Sequence, residues 1–239
     1  MRLLAIFFSI LFAAGQIQAS DCSYATKGWW NHFWTTSEGW GQPSFRVKSL
    51  MEELDGSKDI LVVVDVGSGN GRNSIAALMQ LFEHRAPKSR FVVHCFDFSE
   101  EALRGLSSRS LPDWLQLVTH KVDVNDLPKF PKADLFLLYG ILEYVKEENL
   151  SLVFQTAAYS LVDRGYLVVV VLVQGEGALE IAGETTRTAE VYTQHLKELT
   201  FMRFVDEPMV TKRPDRHDLG KGYPEDHLHY VYRSVLTKE

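Results

Sequence analysis

Cysteine is scarce. Cys22 and Cys95 are the only two in 239 residues, which is too few for a disulfide framework. Excess positive charge is absent as well. A net charge of −6 gives no global attraction to nucleic acid or to an anionic membrane. The one basic cluster, Lys212, Arg213 and Arg216, is modest. The apolar run from Leu3 to Ala14 is shorter than the ~20 residues a membrane-spanning helix needs. Tandem repeats and low-complexity tracts are missing. So are a Ser-His-Asp order, a nucleophile elbow, and the lysine of a phosphate loop. His217, His227 and His229 stand near Asp215, Asp218 and Asp226 without fixed ligand spacing, so no metal site is expected.

What remains is a composition ordinary for a globular protein, 46% hydrophobic and 23% charged. Its most informative stretch runs from Leu61 to Arg72. Val62, Val63 and Val64 fit a strand buried on both faces, followed by Asp65 and then Gly67, Ser68, Gly69, Asn70 and Gly71. Glycines at alternating positions let the backbone turn sharply and approach a ligand. Ile75, Leu78, Met79 and Phe82 follow at helical spacing, so the loop leads into a helix N-terminus. A dinucleotide fingerprint requires G-x-G-x-x-G. Here the third glycine comes one position early and Arg72 fills its slot, which argues against a nicotinamide oxidoreductase.

Strand and helix signals then alternate. Strands are expected at residues 91–96, 115–122, 133–139 and 166–173, with Cys95 in the core. Ser99 suits an N-cap, and Glu100 and Glu101 favour a first helical turn. A helix is expected at residues 148–162, with Leu150, Val153, Phe154, Ala157 and Leu161 on one face and Gly165 ending it. A further helix is expected near residues 189–199, and an antiparallel pair at residues 201–207 and 227–236. Strand–helix repeats imply parallel crossovers in an open sheet. Ligands bind at the carboxyl ends of such strands. Asp65, Asp97 and Asp123 fall at three successive strand ends, and a carboxylate at Asp97 suits the two hydroxyls of a ribose.

The pattern Asp65-x-Gly67-x-Gly69-x-Gly71 resembles the first motif of class I S-adenosylmethionine-dependent methyltransferases. Five parallel strands with a closing antiparallel pair resemble their Rossmann-like, doubly wound, seven-stranded α/β sheet with helices on both faces. Cys95-Phe96-Asp97-Phe98-Ser99 is similar to the second motif of a methyltransferase-like group that includes tRNA N3-methylcytidine methyltransferases. Trp29-Trp30-Asn31-His32-Phe33-Trp34 is similar in kind to their aromatic N-terminal segment, and the stretch from Gly183 through Arg187 to Thr193 is weakly similar to another of their segments. The general resemblance covers about residues 27–236.

It implies S-adenosyl-L-methionine as cofactor. Asp97 would take the ribose, Asp123 the adenine amine, and Val124 or Phe98 the ring, while Asp65 would hold the amino-acid end or the loop itself. Gly67, Ser68, Gly69, Gly71, Ser99, Tyr139 and Trp34 complete the implied cofactor set. Many small-molecule methyltransferases carry Leu-Glu-His-Val after the fourth strand. Here the sequence is Leu142-Glu143-Tyr144-Val145, with Tyr144 replacing the histidine. Glu143 and Tyr139 are the catalytic candidates, and Glu143 has a helix cap as its alternative role.

Four of the five tryptophans, Trp29, Trp30, Trp34 and Trp40, precede the first strand and suggest a lid helix, or packing on the sheet edge. The expected reaction is methyl transfer to an N or O nucleophile of a small molecule or protein. An RNA base and a cofactor-binding protein without turnover are the alternatives. The acidic charge weighs against RNA.

Arg2, the apolar run and Ala19-Ser20 read as a secretory signal peptide over residues 1–19. An anchor formed by residues 3–14, or a first helix of a cytoplasmic protein, is the alternative. Residues 20–239 then form one domain, divided into an aromatic lid segment at 20–57 and a core at 58–239. A cofactor made in the cytosol would have to be imported by such a secreted form.

Overall fold

The computed structural model describes residues 27–36, 42–175, 187–216 and 226–239. The expected signal peptide, Cys22, Trp40, residues 183–186 and His217 lie outside these.

Among the described residues seven strands form one sheet in the order β3-β2-β1-β4-β5-β7-β6. They are β1 Ile60–Val66, β2 Arg90–Asp97, β3 Leu115–Lys121, β4 Ala133–Tyr139, β5 Leu161–Val173, β6 Met202–Arg216 and β7 Asp226–Lys238. The first five are mutually parallel, and β7 runs antiparallel to both β5 and β6. The helices are α1 Lys27–Thr36, α2 Phe45–Leu54, α3 Ala77–Leu81, α4 Glu100–Ser107, α5 Glu147–Ser160 and α6 Ala189–Lys197. The expected seven-stranded architecture is therefore the one observed.

Alternation along the strands decides which helices cover which face. Val63, Val93, Leu135 and Leu137 point into one apolar layer with Leu50 and Met51 of α2, Leu78 of α3 and Leu103 and Leu106 of α4. Their neighbours Val64, Phe96, Phe136 and Leu138 point into the other, against Leu150, Val153 and Phe154 of α5 and Tyr192 and Leu196 of α6. Burying both faces explains the almost unbroken apolar strands. Cys95 lies fully buried in the first layer.

Several local expectations are corrected. The helix after the glycine loop opens with a π-helical turn, Arg72–Ala76, in which the Ala76 N–H donates to Gly71 O at 2.9 Å. Met79 does not join its buried face and is 38% exposed. The long helix ends at Ser160, five residues before Gly165, because Leu161 is extended and already paired with Ala133 in β5. Gly165 serves a different purpose: a Cβ there would lie 2.9 Å from Val162 O and 3.0 Å from Ala133 O. It permits a close backbone approach where the β4–β5 register shifts, beside Arg164 at φ +63°.

The closing pair is longer than the sequence suggests. Pro208 and Pro214 argue against a strand, yet both lie in β6, an edge strand, with Pro208 in the irregular stretch between Asp206 and Met209.

Between β3 and β4 the chain makes only a short 3₁₀ turn, Val124–Asp126, where a crossover helix would be expected. The sheet face over β2 and β3 is accordingly only half-covered there, and it carries two histidines. His94 Nδ1 lies 2.9 Å from His120 Nε2, and the His120 ring stacks on Phe96 at 4.1 Å. That ring-nitrogen bond needs one donor and one acceptor, so it cannot survive double protonation. Burial holds both imidazoles below their usual pKa, and for His94 the neighbouring His120 adds to the effect. The native state thus prefers both rings neutral, and their contribution is lost as pH falls below ~6.5. A His120→Phe variant, which keeps the stack on Phe96, should lose less melting temperature between pH 7 and pH 5 than the wild type. Parallel pH-dependent melts check this; identical acid slopes would show that the pair carries no linkage.

Candidate functional site

The glycine loop joins β1 to the π-turn at the carboxyl edge of the sheet. Gly67, Gly69 and Gly71 all have positive φ, at 69°, 52° and 71°. All three are also sterically closed to a side chain, Gly71 by Leu106 Cδ2 at 2.7 Å. A Cβ on Gly67 would lie 2.6 Å from Ile141 Cδ1, and one on Gly69 would overlap the Trp34 ring.

The loop's amides are tied to the end of β2. Phe96 O accepts from the Gly67 N–H at 2.8 Å and from the Ser68 N–H at 3.2 Å. Asp97 Oδ2 accepts from the Gly69 N–H at 2.8 Å, and Oδ1 accepts from the Ser99 N–H at 2.8 Å. Burial raises the Asp97 carboxyl, while backbone N–H bonds from Ser99, Gly69 and Phe98 pull it back. With three backbone donors on it, the carboxylate keeps one lone-pair site for a further donor. Ser99 is fully buried, and its hydroxyl caps α4 by accepting from the Ala102 N–H at 3.3 Å.

Asp65 faces inward. It is 3% exposed, and Ser74 Oγ donates to its Oδ2 at 2.6 Å. Burial pushes its carboxyl up to about 7; Ser74 opposes this, the nearby Asp97 adds to it, and Arg72 opposes it. Of the two roles implied for Asp65, the described contacts are those of the loop: it anchors the first helical turn. Asn73 does the same for α2, its Oδ1 accepting from the Ser44 N–H at 3.0 Å.

Asp123 lies two residues beyond β3 and caps the 3₁₀ turn, its Oδ1 accepting from the Asn125 N–H at 2.9 Å. Val124 is 7% exposed and packs into the core with Phe96, so little of its side chain is open to a ligand. Phe98 stays half-buried beside Asp97.

At the end of β4, the Arg72 guanidinium sits 5.7 Å from the Tyr139 ring centroid, a cation–π contact. Residues 140–147 then form a loop braced from three directions. Asn125 Nδ2 donates to Tyr144 O at 3.0 Å, and Asn125 Oδ1 accepts from the Lys146 N–H at 2.8 Å. Glu143 is 2% exposed, with Oε1 accepting from the Leu172 N–H of β5 at 2.7 Å. Arg187 donates to Leu142 O at 3.1 Å, Val145 O at 2.8 Å and Glu147 Oε2 at 2.5 Å.

Asn125 and Arg187 brace the candidate site, and neither is among the site residues expected from the sequence. An Asp-x-Asn turn hints at the first; Arg187 falls in the weakly similar stretch, yet nothing local marks its partners, which lie 40 to 45 residues away.

The tryptophan segment is helical and covers this edge. The Trp34 ring lies on Gly69, and the Trp30 ring meets Tyr144 edge-on at 5.8 Å. Trp30 also stacks with Trp34, at 6.1 Å and 22°. Among the described residues no group of three or more His, Cys, Asp or Glu side chains is placed to hold a metal ion. Among them, too, no helix is long and apolar enough to cross a membrane.

The state of Asp65 makes a test of this arrangement. Its folded pKa, near 7, lies above the ordinary value of 3.8, so the folded state holds the proton more tightly. The contribution of Asp65 to stability is therefore greatest at low pH and declines as pH rises towards 7. Asp65→Asn removes that decline: the variant should match the wild type near pH 4 and melt on the order of 5 °C higher above pH 7.5. Calorimetric melts across pH decide it, and lower stability of the variant at both ends would show that the ionised carboxylate is required.

No protein-family model matches the chain, and no curated protein matches it. Solved structures do. TehB from Haemophilus influenzae superposes with a TM-score of 0.60 at 15% identity, over 80% of this chain and 62% of that one. A putative S-adenosylmethionine-dependent methyltransferase from Listeria monocytogenes gives 0.55 at 14% identity, over 82% of this chain and 100% of that one. The 1,6-didemethyltoxoflavin-N1-methyltransferase of Burkholderia thailandensis, with 1,6-didemethyltoxoflavin and S-adenosylhomocysteine bound, gives 0.51 at 16% identity, over 82% and 78%. The chain thus spans about three-fifths of TehB and the whole of the Listeria protein. At these identities the likeness shows the fold alone, which this chain shares with those proteins.

Proposed function

We propose that this protein is an S-adenosylmethionine-dependent methyltransferase acting on an N or O nucleophile of a small molecule or protein. One observation carries the reading: a glycine loop with three left-handed residues, closed to side chains, held against a buried carboxylate at the next strand end. That is a cradle for a polar ligand approached by backbone, with Asp97 keeping one acceptor site for a ribose hydroxyl. Asp123 has one oxygen engaged by Asn125, and the resemblance assigns it the adenine amine. Ser68 is 8% exposed, and its buried Oγ is turned toward the Cys95 thiol beneath the loop. When bound, the cofactor supplies an activated sulfonium methyl. The chain's own residues orient the partners and exclude water. Trp34 and Trp30 lie over the loop for that purpose.

Glu143 belongs to the scaffold in this reading, because its carboxylate holds β5. Tyr139 lines the edge with Arg72 against it. A small-molecule acceptor is favoured by the net charge of −6 and by the toxoflavin precursor bound to the Burkholderia structure.

Isothermal titration with S-adenosylmethionine and S-adenosylhomocysteine tests the cofactor. Both should bind, and Asp97→Asn should weaken them about tenfold to a hundredfold, as expected for charge-assisted hydrogen bonds. Melting of the variant must stay close to wild type for the comparison to count. Absence of binding by the wild type would sink the proposal, whereas binding without turnover across metabolite, protein and RNA extracts would favour a protein that holds the cofactor without using it.

A further inference from the structure

The loop after β4 is the element that meets both the glycine loop and the aromatic helix, and one residue from a distant part of the chain governs it. Ile141 packs on Gly67, and Tyr144 packs on Trp30. Between and beside these contacts lie Leu142 O and Val145 O, and both accept from Arg187.

Arg187 is itself fixed. Its carbonyl accepts from the Gln174 N–H at 3.0 Å just past β5, it bridges Val173, and its side chain is only 5% exposed. Its counterion Glu147 is 67% exposed, the Tyr192 hydroxyl lies beside the guanidinium, and its two terminal nitrogens donate to backbone carbonyls of the loop. A loop held by two carbonyl contacts from a rigid strand end has one position relative to Gly67 and Trp30.

We infer that Arg187 is a positioning residue for the methyl-acceptor side of the site, setting the gap between the glycine loop and the aromatic cover through Leu142 and Val145. This rests on the methyltransferase reading for its purpose, though not for its geometry. Lysine cannot replace it. A single ammonium can pair with Glu147 but lacks the planar fork that reaches both carbonyls.

The test uses the full chain in a Trp40→Phe, Trp114→Phe background, because Trp40 lies outside α1, Trp114 packs remotely against Phe82 and Phe91, and both would obscure the α1 tryptophans. Arg187→Lys and Arg187→Met are compared with the parent by amide exchange, acrylamide quenching and S-adenosylhomocysteine titration. The Tyr144 and Val145 amides close the 3₁₀ turn by donating to Ile141 O and Leu142 O, so they report the loop directly.

In both variants their exchange should quicken at least tenfold, and quenching of the α1 tryptophans should rise. Amides of 167–170 in β5, which make no bond to the loop side chains, should keep parental rates. S-adenosylhomocysteine affinity of the Lys variant should stay within threefold of the parent. Parental exchange at Tyr144 and Val145, or acceleration spread equally through β5, would overturn the proposal, the second by showing a purely stabilising role. If the parent fails to bind S-adenosylhomocysteine, the methyltransferase reading falls while the exchange comparison still decides whether Arg187 positions the loop.

Discussion

The bonds that tie the glycine loop to the end of β2 are the constraint on which the rest of the site depends. A loop with three left-handed residues has no ladder of its own to hold it. Phe96 O and the Asp97 carboxylate supply partners for the amides of Gly67, Ser68 and Gly69, and so convert a permissive sequence into one conformation. Asp97 is buried beside Asp65, and burial raises both carboxyls. Backbone donors offset that cost at Asp97, and the Ser74 hydroxyl offsets it at Asp65. Two acidic groups close together under one loop are expensive to desolvate, so their placement is a clue to what the loop is for.

The second constraint acts on the opposite wall. The loop after β4 has its carbonyls and side chains taken up by Asn125 from the β3 side and by Leu172 and Arg187 from the β5 side. Its polar groups are therefore spent on shape. This fits a loop that aligns its neighbours rather than one that moves a proton. Tyr144 contributes a ring to the contact with Trp30. The helix bearing Trp30 and Trp34 thus touches both walls at once, and the gap between those walls is set by residues that need not meet a ligand.

Much of the fold was legible in the sequence. Alternating apolar strands and amphipathic helices are local patterns, and they yielded the seven-stranded order of elements, the Ser99 cap and the buried Cys95. Errors came where a neighbouring strand overrode local preference. Leu161 left the helix because Ala133 offered it a ladder partner. Pro208 and Pro214 joined a strand because β6 sits at the edge. The turn between β3 and β4 left His94 and His120 on a half-covered face, which no local pattern announces.

For the site, the sequence by itself determined the glycine loop and the acidic residues in and just beyond the strand ends. Those features are encoded in consecutive residues, and backbone sterics act within a few positions. The tertiary structure alone decided what each side chain does. It turned Asp65 toward Ser74, turned Glu143 toward β5, and set Trp34 on Gly69. It also brought Arg187 to a loop more than forty residues away in the chain. The physical reason is that a buried polar group takes whichever partner packing delivers, and packing is a property of the whole sheet rather than of any segment.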